Sequence, residues 1–529
     1  MYSPMNHAQK PNFISWLTSA RESKPVRAIN RFCASPWFLA TLGACTLLSY
    51  AFALELFFYG TVILFALYVA LFGDDFLPIL PLFVFCYISP SSGNNPGKSE
   101  TSIFYGAAGL TILIFAAIAV SSLLVRIAID KNMGLKKLFT KKRYLTIGFL
   151  ILGAAYLLSG LGSDHYSEIV WKNLLFSLLQ FLALFLVYFL FSATVQWENV
   201  NKHYFAWLAV IFSLTVVGEL RHVYITQKVI VDNDVNGEVV GNTILRAHIY
   251  TGWGMYNNVG AMIALGIPFA WSLAVSHKRG YWFVLLASFF VVATVFSCSR
   301  GSMLGAAIAF VFSLVYAGIK SERRILFLIT TLAVIGVCIA AFFIFKPVFA
   351  YLFELTPDLF NPEYVLSLDS LEDFLHLFND SNRFSTYEEG FKVFAKYPFF
   401  GDSFYPSSFA PWDFSDLEQF SSFFPPRWHN TIVQLLASCG VVGLVAYGVH
   451  RVQTILLFCK NRTIEKAFIA ISLICLLAMS LLDCHLFNIG PAFFYSTALV
   501  FAENLGNKKL EQTKEPEKKD LQKPNPNEK

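Results

Sequence analysis

His429-Asn430 stands where a long polar segment, roughly 347–428, hands over to an apolar run. Ser299-Arg300-Gly301 stands at the junction of two other apolar runs. A histidine at a membrane edge is a candidate proton acceptor near neutral pH. An arginine at a membrane edge is costly enough to mark a functional site by default. Arg383, inside the polar segment, is the third member of the set. A guanidinium is a planar, permanently charged fork that donates paired hydrogen bonds to phosphate oxygens. Two such groups, Arg300 and Arg383, can hold both halves of a diphosphate and stabilise its charge as it leaves. His429 can take the proton of an attacking hydroxyl. The pattern points to phosphate chemistry at a membrane surface, with Arg246 and Asn430 as further candidate substrate contacts.

Each residue also has a plainer use. Arg300 suits an anchor that snorkels to the interface at a helix start. Arg383 has Asp380, Glu388 and Glu389 within reach as surface partners. Asn430 is a good helix N-cap. Arg221, His222, Arg246 and His248 are mixed with Asp232, Asp234 and Glu238, as in a solvated loop. Asp232-Asn233-Asp234 offers carboxylates to a divalent cation, but Asn236-Gly237 beside it reads as an exposed turn. No His pair has zinc spacing, the nine cysteines form no CxxC pair, and no Walker-type glycine loop is present. No metal or nucleotide cofactor is expected, and no nucleic-acid partner.

The elements that must position these residues are membrane helices. Only 14% of the 529 residues are charged, about half the share of a soluble protein. Apolar windows of about 20 residues recur, the length that crosses about 30 Å of hydrocarbon. The expected fold is an all-α integral membrane protein, a polytopic bundle of about 12–14 transmembrane helices with one large outer loop. Basic clusters at the N-terminus, Arg126 to Arg143, Lys278-Arg279, Lys320 to Arg324, Arg451 to Lys466 and the tail all fall inside if 14 spans are threaded with the N-terminus inside. That threading puts Arg300 and the 220–253 and 347–428 segments outside. Asp74-Asp75 then becomes a turn on the inner side. The resulting division is an inner N-terminal segment 1–35, a first bundle 36–219, an outer loop 220–253, helices 254–346 with the Ser-Arg-Gly block, the large outer loop 347–428, C-terminal helices 429–506 and a charged tail 507–529. Within the large loop, Phe384, Tyr387, Phe391 and Phe394 recur at helical spacing, which predicts an interfacial amphipathic helix ending at Tyr397-Pro398. Trp412, Phe423 and Phe424 suit lipid-facing packing or a lid over the donor.

Three blocks resemble the O-antigen ligase/polymerase superfamily. They are Ser297-Cys298-Ser299-Arg300-Gly301, the stretch from Asn382-Arg383 to Tyr397-Pro398-Phe399-Phe400-Gly401, and His429-Asn430-Thr431-Ile432 followed by Cys439-Gly440-Val441-Val442-Gly443. Trp253 to Gly260 is a weaker echo of the family's Asn-bearing helix start. Gly401-Asp402-Ser403 departs from the family's Gly-x-Gly. The resemblance implies a GT-C-type glycosyltransferase of the bacterial inner membrane, with its site on the periplasmic side. It implies an undecaprenyl-diphosphate-linked glycan donor, a lipid A-core or other glycan acceptor, surrounding membrane lipid and no cofactor. By position it makes His429 the base and Arg300 and Arg383 the diphosphate-holding residues of a metal-independent inverting transfer, most like O-antigen ligase. A polymerase or a protein O-oligosaccharyltransferase shares these blocks. A lipid or solute transporter is the reading from another class, set against the absence of an internal repeat.

Overall fold

A backbone in hydrocarbon must satisfy its own hydrogen bonds, and the chain does so almost wholly with helices. The computed structural model describes residues 19–52, 54–85, 106–129, 143–226, 249–251, 254–344, 367, 382–405, 428–488 and 490–505. In order these form α1 (Lys24–Cys33), α2 (Pro36–Ala51), α3 (Glu55–Phe72), α4 (Leu80–Phe85), α5 (Gly106–Ile129), α6 (Thr146–Leu157), α7 (Tyr166–Thr194) and α8 (Tyr204–Thr226). A two-residue antiparallel pair follows, β1 (Tyr250–Thr251) and β2 (Gly254–Met255). Then come α9 (Tyr256–Ser276), α10 (Tyr281–Val295), α11 (Arg300–Lys320), α12 (Arg324–Ile344), α13 (Asn382–Lys396), α14 (Thr431–Cys459), α15 (Ile464–Ser480) and α16 at 490–505. Arg246, Asp232, Asp234, Trp412, Phe423, Phe424 and the tail 507–529 lie outside the described residues.

This is an all-α multi-pass membrane protein. Among the described residues, α7, α8, α9, α11 and α14 are each long and apolar enough to cross a bilayer. The α1–α2 pair, bent by 72°, makes a sixth if counted as one span. The bend follows from Ser35-Pro36: the residue before a proline is driven out of the helical region, and Ser35 is extended at φ −104° and ψ 159°. Five further apolar helices are present among the described residues: α3, α5, α6, α10 and α12.

Charge is placed at helix ends as the macrodipole favours. Arg126 donates to the carbonyls of Ala70 and Gly73, and Arg21 to that of Leu71, so both satisfy the open end of α3. The centre of the molecule is α9, whose apolar window is 89% buried against 39% for α11. α9 packs on α8, α10, α11 and α15. Gly260 permits its close approach to α11, because a Cβ there would sit 2.7 Å from Ser302 Cβ. The helix read from the phenylalanine spacing is α13, ending at Lys396, one residue before Tyr397-Pro398.

Candidate functional site

His429 sits immediately before the N-cap of α14, in the left-handed region at φ 51°. A non-glycine residue held there costs on the order of 1 kcal/mol or more and needs support from its surroundings. Asn430 provides part of it. Its Oδ1 accepts from the N–H groups of Ile432 (2.8 Å) and Val433 (3.2 Å), the cap the sequence suggested. Its Nδ2 donates to the Leu481 carbonyl at 2.8 Å, so both ends of the amide are engaged. Tyr387 of α13 donates its hydroxyl to the His429 carbonyl at 3.2 Å. The imidazole itself is 42% exposed, and its Nδ1 lies 3.5 Å from Asp483 Oδ1.

Asp483 belongs to the turn that follows α15. Its Oδ1 also accepts from the Cys484 N–H at 2.6 Å, and its Oδ2 accepts from Asn257 Nδ2 at 2.9 Å. Burial alone would push its carboxyl up. The hydrogen bond from His429, the charges of His485 and His429 and the Cys484 N–H outweigh burial and hold it well below the usual carboxylate range. A carboxylate at Nδ1 favours the tautomer with its proton on that nitrogen, leaving the Nε2 lone pair for an incoming hydroxyl. The same turn makes further contacts. Buried His485 shares Asn258 Oδ1 with Asn488, at 3.0 and 2.9 Å. Leu482 lies against Gly301, 3.4 Å from where its Cβ would be.

That last contact brings in the Ser-Arg-Gly block. Ser299 is the N-cap of α11, its Oγ accepting from the Ser302 N–H at 3.3 Å, and Cys298 before it turns the chain at φ 57°. Arg300 is thus the first residue of α11, half-buried. The positive end of the helix dipole adds to its charge there, a setting that favours an anion. Ser299 Oγ in turn donates to Asn257 Oδ1 at 2.8 Å. The two blocks meet, therefore, through α9 and the turn after α15.

Arg383 lies in the first turn of α13, one turn before Tyr387, whose hydroxyl reaches the His429 backbone. Its side chain lies outside the described residues, as does the whole of Arg246. Of the acidic partners suggested for Arg383, Glu388 pairs instead with Lys392 at 2.7 Å, the i, i+4 geometry.

The second and third blocks join at a break in α14. Gly440 leaves the helical region at φ 62° and ψ −158°. The freed carbonyls of Ala437 and Ser438 accept from Asp402 N (2.8 Å) and Ser403 N (3.2 Å). The freed N–H groups of Val441 and Val442 donate to the carbonyls of Pro398 (2.9 Å) and Phe399 (3.2 Å). The turn 398–403 therefore fills the gap with its own backbone and satisfies all four groups. Gly401, at φ 69°, fits because any Cβ would meet the backbone of Ser438 and Cys439.

Asp483 and Asn257 were not singled out from the sequence. The signal for Asp483 was available: an acid at the end of an apolar run meets the same criterion that picked out Arg300. Asn257 lay in the Trp253–Gly260 stretch but carried no role there.

Residues 282–448 match the family model described as O-antigen ligase, a range that takes in Arg300, Arg383, His429 and the break at Gly440. No curated protein matches the chain. The chain thus carries, within a multi-pass helical bundle, a segment similar to the O-antigen ligase family.

Proposed function

We propose that the chain moves a glycan from undecaprenyl diphosphate to the lipid A-core of lipopolysaccharide, at the periplasmic side of a bacterial inner membrane. The observation that supports this most is the meeting of His429, Asp483 and the Ser299-Arg300 turn at one end of the bundle. In the proposed step, His429 Nε2 takes the proton of an acceptor hydroxyl as its oxygen attacks the anomeric carbon. The bond from that carbon to the diphosphate oxygen breaks, and the diphosphate leaves with the electron pair. Attack opposite the leaving group inverts the anomeric centre. Asp483 steadies the imidazolium that forms, as a buried carboxylate does for a histidine base. Arg300 at the start of α11, with Arg383 from α13, holds the growing charge on the leaving diphosphate. The glycosyl-diphosphate bond supplies the drive, so the step needs no nucleotide. Arg246 is assigned to the glycan and Asn430 to holding His429 in place.

The test is glycan transfer by purified protein in EDTA, with an undecaprenyl-diphosphate glycan as donor and lipid A-core as acceptor, comparing the native chain with His429→Ala. Transfer to lipid A-core that falls by roughly 10²-fold or more in the variant is the expected result. A lengthened lipid-linked glycan would make the chain a polymerase, and transfer only to a protein would make it an oligosaccharyltransferase. Full transfer by His429→Ala would remove the base from the scheme.

A further inference from the structure

The side-chain amide of Asn257 lies between the two halves of the site. Its Nδ2 donates to Asp483 Oδ2 at 2.9 Å, and its Oδ1 accepts from Ser299 Oγ at 2.8 Å. Its main-chain carbonyl accepts from Ser302 Oγ at 3.0 Å, and Ser302 and Ser299 share a further contact of 2.9 Å between their hydroxyls. The amide can be oriented only one way, because a carboxylate needs a donor and the Ser299 hydroxyl needs an acceptor. Asn257 occupies the first turn of α9, the most buried span, directly after β2. The linkage is therefore anchored on the part of the bundle least free to move.

We infer that Asn257 is the positioning residue that locks the donor-holding turn at Ser299-Arg300 to the Asp483–His429 pair. This rests on the function proposed above. Asp483 has two oxygens: one faces His429 and Cys484 N–H, the other faces Asn257. Without the amide, Oδ2 loses its donor and the carboxylate is free to rotate off the imidazole. Ser299 loses its acceptor in the same change, and with it one restraint on the turn that begins α11. Reactions of this kind are sensitive to such shifts, since a misplacement near 1 Å can cost about 10²-fold. Asn257 touches neither the transferred group nor the base; it acts through Asp483 and Ser299.

Two variants test it in the transfer assay. Asn257→Ala is expected to lower kcat by about 10–100-fold. The loss should not multiply with that of Asp483→Asn, because both act through the same carboxylate. Asn257→Asp is nearly the same shape but sets a second carboxylate against Asp483 Oδ2. At neutral pH its rate should fall below that of Asn257→Ala. On acidification the two carboxylates can share one proton, and its deficit relative to the native chain should narrow. Among the described residues, the titratable groups bearing on Asp483 are His429 and His485, and both remain in every variant. A purely structural role predicts neither the pH-dependent recovery nor the non-additivity. If Asn257→Ala fails to fold, the pH response of Asn257→Asp decides the matter alone. A well-folded Asn257→Ala with native kcat, or an Asn257→Asp deficit that ignores pH, overturns this inference while loss of transfer in His429→Ala leaves the parent reading standing. Retained transfer in His429→Ala overturns both.

Discussion

The backbone of Phe399 runs so close to Gly440 that a side chain at 440 would have nowhere to go: a Cβ there would collide with Phe399 and come within 2.6 Å of the Pro398 carbonyl oxygen. Two stretches about forty residues apart in sequence thus share one hydrogen-bonded junction inside the bundle. That junction sets the height of α13, and so of Tyr387, beside His429.

Gly440→Ala should therefore be among the most damaging single changes in the chain. It combines a positive φ with a backbone collision, and a loss of about 3 kcal/mol is expected. Thermal unfolding in detergent would show it as a clear drop in Tm. A native Tm would mean that α14 can close up as a regular helix and release the 398–403 turn.

Asp483 gives a pH prediction. Its folded pKa is depressed, so its contribution to stability is complete above the unfolded value of about 3.9 and is lost as pH falls through the lower folded value. Asp483 stays ionised from pH 5 to 8, and an acid limb of the rate profile in that window belongs to another group. Asp483→Asn removes the charge that favours the imidazolium. The kcat for transfer should fall roughly 10²-fold. A native kcat in Asp483→Asn would detach Asp483 from His429.

Arg300→Lys keeps the charge at the start of α11 but removes the paired donors. The expected outcome is a fall of about 10–100-fold in kcat/KM for the lipid-diphosphate donor. Titrating donor at saturating acceptor measures it. Unchanged donor kinetics would reduce Arg300 to an interfacial anchor.

Asn430 has two separable jobs. Asn430→Ala removes the cap and the link to Leu481, and should cost about 1 kcal/mol for the cap alone. Asn430→Asp keeps the cap but has no donor for the Leu481 carbonyl. If holding His429 beside Asp483 depends on that link, Asn430→Asp should keep most of its Tm and lose rate. Equal loss of rate and Tm in the two variants would speak against it.

How far the site could be read in advance depended on how local its determinants are. The helix at Asn382–Lys396 was legible because Phe384, Tyr387, Phe391 and Phe394 carry their own periodicity. His429 and Arg300 stood out because the threading puts them on the outer side, away from the basic clusters that flank the inner ends of the spans. Asn430 announced itself as a cap by residue type and place. The break at Gly440 was not legible, since a glycine in an apolar span usually continues the helix and the turn that fills the gap lies far upstream. Asp483 carried the same edge signal as Arg300, but its role comes from His429 and Asn257, which only the fold brings to it. The apolar run that holds Thr146–Leu157 continues past the end of that helix, so its length alone overstates the helix.

The turn that gathers the site is made late. Asp483 follows Asn257 by 226 positions, and every other residue that meets in the site precedes it on the chain apart from Cys484, His485 and Asn488. During synthesis α9 and α11 are made long before the carboxylate that joins them to the start of α14. A chain that stops between residues 429 and 483 holds both arginines and the histidine but lacks the carboxylate that faces His429 and Asn257. The order of translation thus delays completion of the candidate site until nearly the whole bundle has been made.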